Sequence, residues 1–235
     1  DASSGTADPE GAFARGANLW IGGGWGRITL GRAMTPSYSA MSSWALVGSG
    51  NNSIARQTFG AVGTEGERQS NQISYRSPNL GGVVVDAAYV PKDDNSIAGA
   101  NRSRVDLAAT YKAGGLTVGA AYNKFSGLDA NFAMGAKYIY QNLEFAGGYY
   151  QYRNGRYIDS STGQIYPNVS FGSNGVTVGV KANWNQFSAF VDVARETKSE
   201  YFVGNNSFNG KKATNVAIGG SYAFSKRTQA YINYM

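Results

Sequence analysis

Apolar residues recur on alternate positions in segments of about ten residues along most of this chain, with small or polar residues between them. In the run VTVGVKANW, Val176, Val178, Val180, Ala182 and Trp184 share one face, while Thr177, Gly179, Lys181 and Asn183 share the other. The same alternation sets Val105, Leu107, Ala109 and Tyr111 against Arg104, Asp106, Ala108, Thr110 and Lys112. It also sets Phe132, Met134, Ala136, Tyr138 and Tyr140 against Ala133, Gly135, Lys137 and Gln141. Successive side chains of a strand point to opposite faces, so each segment reads as a β-strand with one apolar face. Charges in mid-strand, such as Lys137 and Lys181, require that the other face meet water.

A β-sandwich also alternates, and the connections separate the two architectures. Very short turns fall at Gly24-Trp25-Gly26, Pro78 to Gly81, Ala113 to Gly115, Gln141-Asn142, Asn185-Gln186 and Ser225-Lys226, each between two long strand segments. Longer polar links occupy 35–67, 91–102, 125–131, 154–174 and 199–213. Tight turns alternating with extended loops are the pattern of a transmembrane antiparallel β-barrel. Tyr75, Tyr111, Tyr138, Tyr140, Trp184, Phe187, Tyr222 and Phe224 lie beside the short turns, and Tyr89, Tyr122, Phe132 and Tyr149 lie toward the loops. Two interfacial girdles would place them so.

Composition narrows the chemistry. The 235 residues include no Cys and no His, which removes Ser-His and Cys-His nucleophile pairs, disulfides and Cys-type metal sites. No enzyme activity, cofactor or metal is expected. Only 15% of residues are charged, the net charge is +6, and the basic residues are scattered singly. Nucleic-acid binding is therefore not expected. No stretch approaches the roughly 20 apolar residues of a membrane helix.

The segmentation predicts an all-β fold of about 12 strands in one domain over 1–235. They run 13–23, 26–34, 68–77, 82–90, 102–112, 116–125, 130–140, 143–153, 175–185, 187–198, 214–224 and 227–235. Backbone groups in lipid must all pair within the protein, and an open sheet edge is not viable there. The chain is accordingly expected to be an internal piece of a larger barrel.

Three stretches carry a family resemblance: WGRITLGRAMTPSY at 25–38, RQSNQISYRSPNLGG at 68–82 and YAFSKRTQAYINY at 222–234. In order and spacing the chain resembles the trimeric general diffusion porins of Gram-negative outer membranes, barrels of roughly 16 strands, and especially their β-proteobacterial branch. The resemblance implies that the first strands and the last are absent. It also implies a homotrimer in contact with outer-membrane lipid, and a loop at 35–67 that folds inward and narrows the barrel.

By the same resemblance, wall arginines face that loop. Arg32 and Arg68 match, as does Arg15 at a further basic position, and Arg56, Glu65 and Glu67 lie on the loop. Parity puts Arg68, Ser70, Gln72, Ser74 and Arg76 on the lumen side, but sets Arg32 with Ile28 and Leu30. A β-bulge at Gly31 would resolve that conflict, since one extra residue reverses the facing of the strand beyond it. Arg15 conflicts with Ala17, Leu19 and Ile21 in the same way. Parity further assigns Arg76, Arg104, Lys112, Lys137, Lys181, Asp86, Asp106, Glu144 and Asp192 to the pore lining.

From Thr35 to Thr64 there is no Asp or Glu, so wall arginines would stand unopposed and attract anions. The function expected is passive diffusion of small hydrophilic solutes and ions, with a preference for small anions. Two alternatives stay open. One is a substrate-specific channel for organic acids or sugars, with Tyr150 and Tyr152 as a contact track; the other is a soluble β-sheet protein that binds carbohydrate.

Overall fold

The computed structural model describes residues 16–47, 68–92, 103–127, 129–158, 165–204 and 206–234. The strands are β1 (Ala17–Gly23), β2 (Gly26–Met34), β3 (Arg68–Arg76), β4 (Val83–Val90), β5 (Arg104–Ala113), β6 (Leu116–Phe125) and β7 (Ala130–Tyr140). They continue with β8 (Leu143–Ile158), β9 (Ile165–Trp184), β10 (Phe187–Val203), β11 (Asn206–Asn209), β12 (Thr214–Ser225) and β13 (Thr228–Tyr234). Among the described residues one helix, α1 (Pro36–Trp44), follows β2. All strands join a single 13-stranded sheet in which each pairs antiparallel with its neighbour in sequence, except that β12 pairs with β10 and β11 folds back on β10.

The alternation fixes the faces. Leu19, Ile28, Leu30, Ile73, Val105, Leu107, Met134, Phe145, Val176, Val178, Val191, Val216 and Ile218 are all exposed, and they share one side. The other side carries α1. So many exposed apolar side chains on one face of a sheet have a physical explanation only in a non-aqueous surround. The short turns stand where the spacing predicts them, except that the last is shifted by one residue to Lys226-Arg227. Aromatics mark that rim: Tyr75 stacks on Trp25 at 6.5 Å, and Tyr222 lies between Phe187 and Phe224 at 4.7 and 4.9 Å.

The loop side departs from the sequence reading. β8, β9 and β10 run well into 154–174 and 199–203, expected from their polarity to be links, and β11 forms within 199–213. Pairing continues past Tyr152–Ser173 through register shifts at Tyr152/Gly155 and Arg156/Tyr157. Polar sequence does not exclude a strand when a neighbour supplies the ladder; here β9 and β10 pair as far as Val203–Val169.

A bulge is present beside Gly31, but its extra residue is on β3, where Ser70 and Asn71 stand opposite Arg32, and not on β2, which stays in regular register with β1 through Ala17–Arg32. β2 and β3 pair regularly from Arg27–Arg76 to Gly31–Gln72, then shift to Ala33–Gln69. Gly31 has φ 110° and Asn71 has φ 52°, both in the left-handed half of backbone space. A Cβ on Gly31 would overlap the Ala17 carbonyl oxygen, so glycine is required there.

Candidate functional site

The site is the inner face of the sheet together with α1. Thr35 caps the helix by accepting from the Tyr38 amide at 3.3 Å, and Pro36 starts it, where a missing N–H costs nothing. The helix then lies across β5, β6 and β7 and buries Tyr38, Ala40, Met41 and Trp44.

Two anchors hold it. At the N-terminal end, Asp106 accepts from the Ser37 amide at 2.9 Å and from the Ser37 hydroxyl. The same carboxylate takes a charge-assisted bond from Arg104 at 2.5 Å, and the Arg104 guanidinium lies 5.4 Å from the Phe125 ring. Asn123 donates to the Ser37 hydroxyl at 3.2 Å and accepts from Asn131 at 2.9 Å, while Asn131 accepts from the Arg153 amide at 2.7 Å. This network ties the helix to four adjacent strands, and its Ser37, Arg104, Asp106, Asn123 and Asn131 members are buried.

At the C-terminal end, Trp44 enters a slot made of absent side chains. Gly119, Gly135 and Gly148 are consecutive register partners on β6, β7 and β8. A Cβ at Gly135 or at Gly148 would overlap the indole, and one at Gly119 would stand 3.0 Å from it. The indole is 1% exposed. Tyr38, Met41, Ala45, Ala133 and Tyr150 complete this cluster, with Tyr150 hydrogen-bonded to Ser173 at 3.1 Å.

These anchors correct part of the sequence reading. Arg104 and Asp106 stand on the inner face as parity requires, yet each is only 2% exposed, because α1 covers them. They hold the helix and do not line a water-filled surface. Asp192 is likewise buried, beside Gly179. Tyr150 lies under the helix and offers no contact track. Alternation reports which face a side chain takes, whereas the covering helix comes from a distant part of the chain.

Among the described residues, further polar side chains line two recesses beside α1. The larger, about 460 Å³, is lined by Arg68, Arg27, Arg76, Asp86, Thr29 and Ser74 with Trp20 and Tyr75. Arg27 lies 6.0 Å from the Trp20 ring, and Arg76 pairs with Asp86 at 3.2 Å. The smaller, about 290 Å³, lies between the helix serines and Lys112. Farther along the wall, Lys181 pairs with Glu144 at 3.5 Å. Lys112 and Lys137 form no ion pair among the described residues.

Arg32 is half-buried and donates to the Ser70 hydroxyl at 3.0 Å; it does not line the larger recess, whereas Arg68 does. The bulge also breaks the single lumen face expected of β3, since Gln69 and Gln72 are both buried, an odd spacing that regular alternation forbids. Arg15, Arg56, Glu65 and Glu67 lie outside the described residues. Arg27 is the wall cation the sequence reading missed; its parity with Thr29, opposite Ile28 and Leu30, was the available signal. Trp44 and its glycines had no such signal, because their meeting depends on register between strands.

The whole chain, residues 1–235, matches the family model described as Gram-negative porin. Over 90 residues it is 36% identical to a chitoporin of Vibrio furnissii, which is 38% of this chain and 24% of that protein. The fold is similar to that of an anion-selective porin from Comamonas acidovorans, with TM-score 0.68, 20% identity, and 92% of this chain and 64% of that one covered. It is also similar to in-vitro folded OmpT, an outer membrane protein of Vibrio cholerae, with TM-score 0.63, 15% identity, and coverage of 88% and 64%. The chain thus spans less than two thirds of each of these relatives. At such identities the structural likeness speaks for the all-β, antiparallel barrel fold.

Proposed function

We propose that this chain, which belongs to the Gram-negative porin family and so to the outer membrane, walls a water-filled passage through which small hydrophilic solutes and ions diffuse passively. The observation that carries this reading is the pairing of an apolar outer face with a polar inner face on which α1 is pinned at both ends. A helix held that firmly against the wall is suited to narrow a lumen by a constant amount. No covalent step is needed.

Small anions are the favoured cargo in this reading. Arg27 and Arg68 line one recess, Lys112 lines the other, and α1 carries no carboxylate to oppose them. Arg76 and Lys181 are each offset by a carboxylate, as is buried Arg104. Low-dielectric walls focus the field of the recess cations on the passage. Arg32, Arg15 and Arg56 belong to the proposed constriction, with Glu65 and Glu67 at the end of its loop. Assembly as a homotrimer in outer-membrane lipid is part of the same proposal.

The test is planar-bilayer conductance of the full-length protein under a KCl gradient. A reversal potential of anionic sign is expected, and Arg68→Gln should move it toward zero. Absence of conductance would overturn the channel reading, and a potential of cationic sign would overturn only the anion preference.

A second reading, a channel for a particular sugar class, draws on the 90-residue similarity to a chitoporin. Saturable block of ion current by chito-oligosaccharides would favour it, and current independent of added sugar would reject it.

A further inference from the structure

The smaller recess has two unlike walls. One is the row Ser39, Ser42 and Ser43 on α1; the other carries Lys112 and the Arg76–Asp86 pair. Each serine spends its hydroxyl proton on the helix itself. Ser39 donates to the Thr35 carbonyl at 3.0 Å, Ser42 to that of Tyr38 at 2.7 Å, and Ser43 to that of Ala40 at 2.6 Å. A hydroxyl with its proton so committed keeps only its acceptor lone pairs for a solute. The helix side of the recess therefore accepts hydrogen bonds, while Lys112 opposite it donates them and carries positive charge. Arg76 is offset by Asp86 at 3.2 Å, which leaves the recess a net cation.

A simple carboxylate satisfies Lys112 but has no proton to give the serines. A neutral sugar satisfies the serines but leaves the charge unmet. From this geometry we infer a selectivity subsite for hydroxylated carboxylates, such as sugar acids and glycerate, with the carboxylate toward Lys112 and the hydroxyls donating to Ser39, Ser42 and Ser43. The inference rests on the anion-channel reading above. The recess, at about 290 Å³, has room for a solute of a few carbons, and it reaches the short-turn mouth through Asn79 and Gly82. The binding it provides is weak, as passage requires, because each neutral hydrogen bond to the solute replaces one that the solute and the serine already made to water.

The experiment is a bi-ionic reversal-potential measurement on the full-length protein, with potassium glycerate on one side of a planar bilayer and potassium butyrate on the other. The two anions have equal charge and similar size and differ in hydroxyl groups. The glycerate-to-butyrate permeability ratio is expected to exceed their mobility ratio in free solution by about threefold, roughly what part of one net hydrogen bond supplies. In Ser39→Ala/Ser42→Ala/Ser43→Ala the excess should vanish, while the chloride-over-potassium preference remains and reports an intact pore. Lys112→Gln should lower the permeability of both carboxylates. A wild-type ratio equal to the mobility ratio, or an excess that persists in the triple variant, overturns the inference. If the triple variant does not insert, Ser42→Ala is read in the same way for a smaller shift. A channel of cationic preference would instead mean that the underlying anion reading has failed.

Discussion

The indole of Trp44 lies so close to Gly135 that a single methyl group on that residue would overlap the ring. The contact joins a helix near the start of the chain to the middle of the sheet, with Gly119 and Gly148 as its neighbours in register. Gly135→Ala cannot be accommodated by a flexible side chain, since the obstacle is a rigid ring. Overpacking of this kind costs about 1–3 kcal/mol. The expected result is a barrel that still inserts but shows noisier or larger single-channel conductance, because the helix leaves its seat. Trp44→Ala should have the same effect on conductance, and Gly135→Ala combined with Trp44→Ala should be no worse than either alone. Planar-bilayer recording of all three variants checks this.

Asp106 compensates Arg104 and binds Ser37 in the same buried place. Asp106→Asn removes the counter-charge and leaves a guanidinium shut away from water, which costs about 3–5 kcal/mol. Replacing the pair together, Arg104→Met with Asp106→Leu, should cost less than the single change. Thermal unfolding midpoints in detergent for the two variants give the order; a single variant more stable than the double would contradict it.

Val178 is 65% exposed in mid-strand, and its neighbour Thr177 is buried on the inner face. Val178→Arg places a charge in hydrocarbon and is expected to lower folding stability by about 2–4 kcal/mol in bilayer vesicles. Val178→Leu should be close to neutral. Urea titration of vesicle-inserted protein measures both.

Gly31 stands at φ 110° against the Ala17 carbonyl, next to the bulge that Ser70 and Asn71 of β3 make opposite Arg32. Gly31→Val should reduce refolding yield severely, because the substitution meets both a forbidden backbone region and a backbone obstacle. The neighbouring Leu30→Val, on the exposed face, should refold nearly as the parent does. Yields by gel mobility after refolding from urea distinguish them.

Period two is a local property, carried by each residue and its next neighbours, and so the strands, the short turns and the lipid-facing row from Leu19 to Ile218 were legible in the sequence, whereas the bulge expected on β2 at Gly31 has its extra residue on β3, which only the register between the two strands decided. Other features depend on which strand lies beside which. The extension of β8 to β10 required partners for polar backbone, as at Val203–Val169. The serine row of α1 became a wall only when Lys112 was brought opposite it. Arg104 and Asp106 alternate like residues that line a pore, and only the helix laid over them by the fold turned them into its anchor. The glycines at 119, 135 and 148 are scattered in the chain; antiparallel register alone made them a slot, and the burial of one indole ring is the physical reason they carry no side chains.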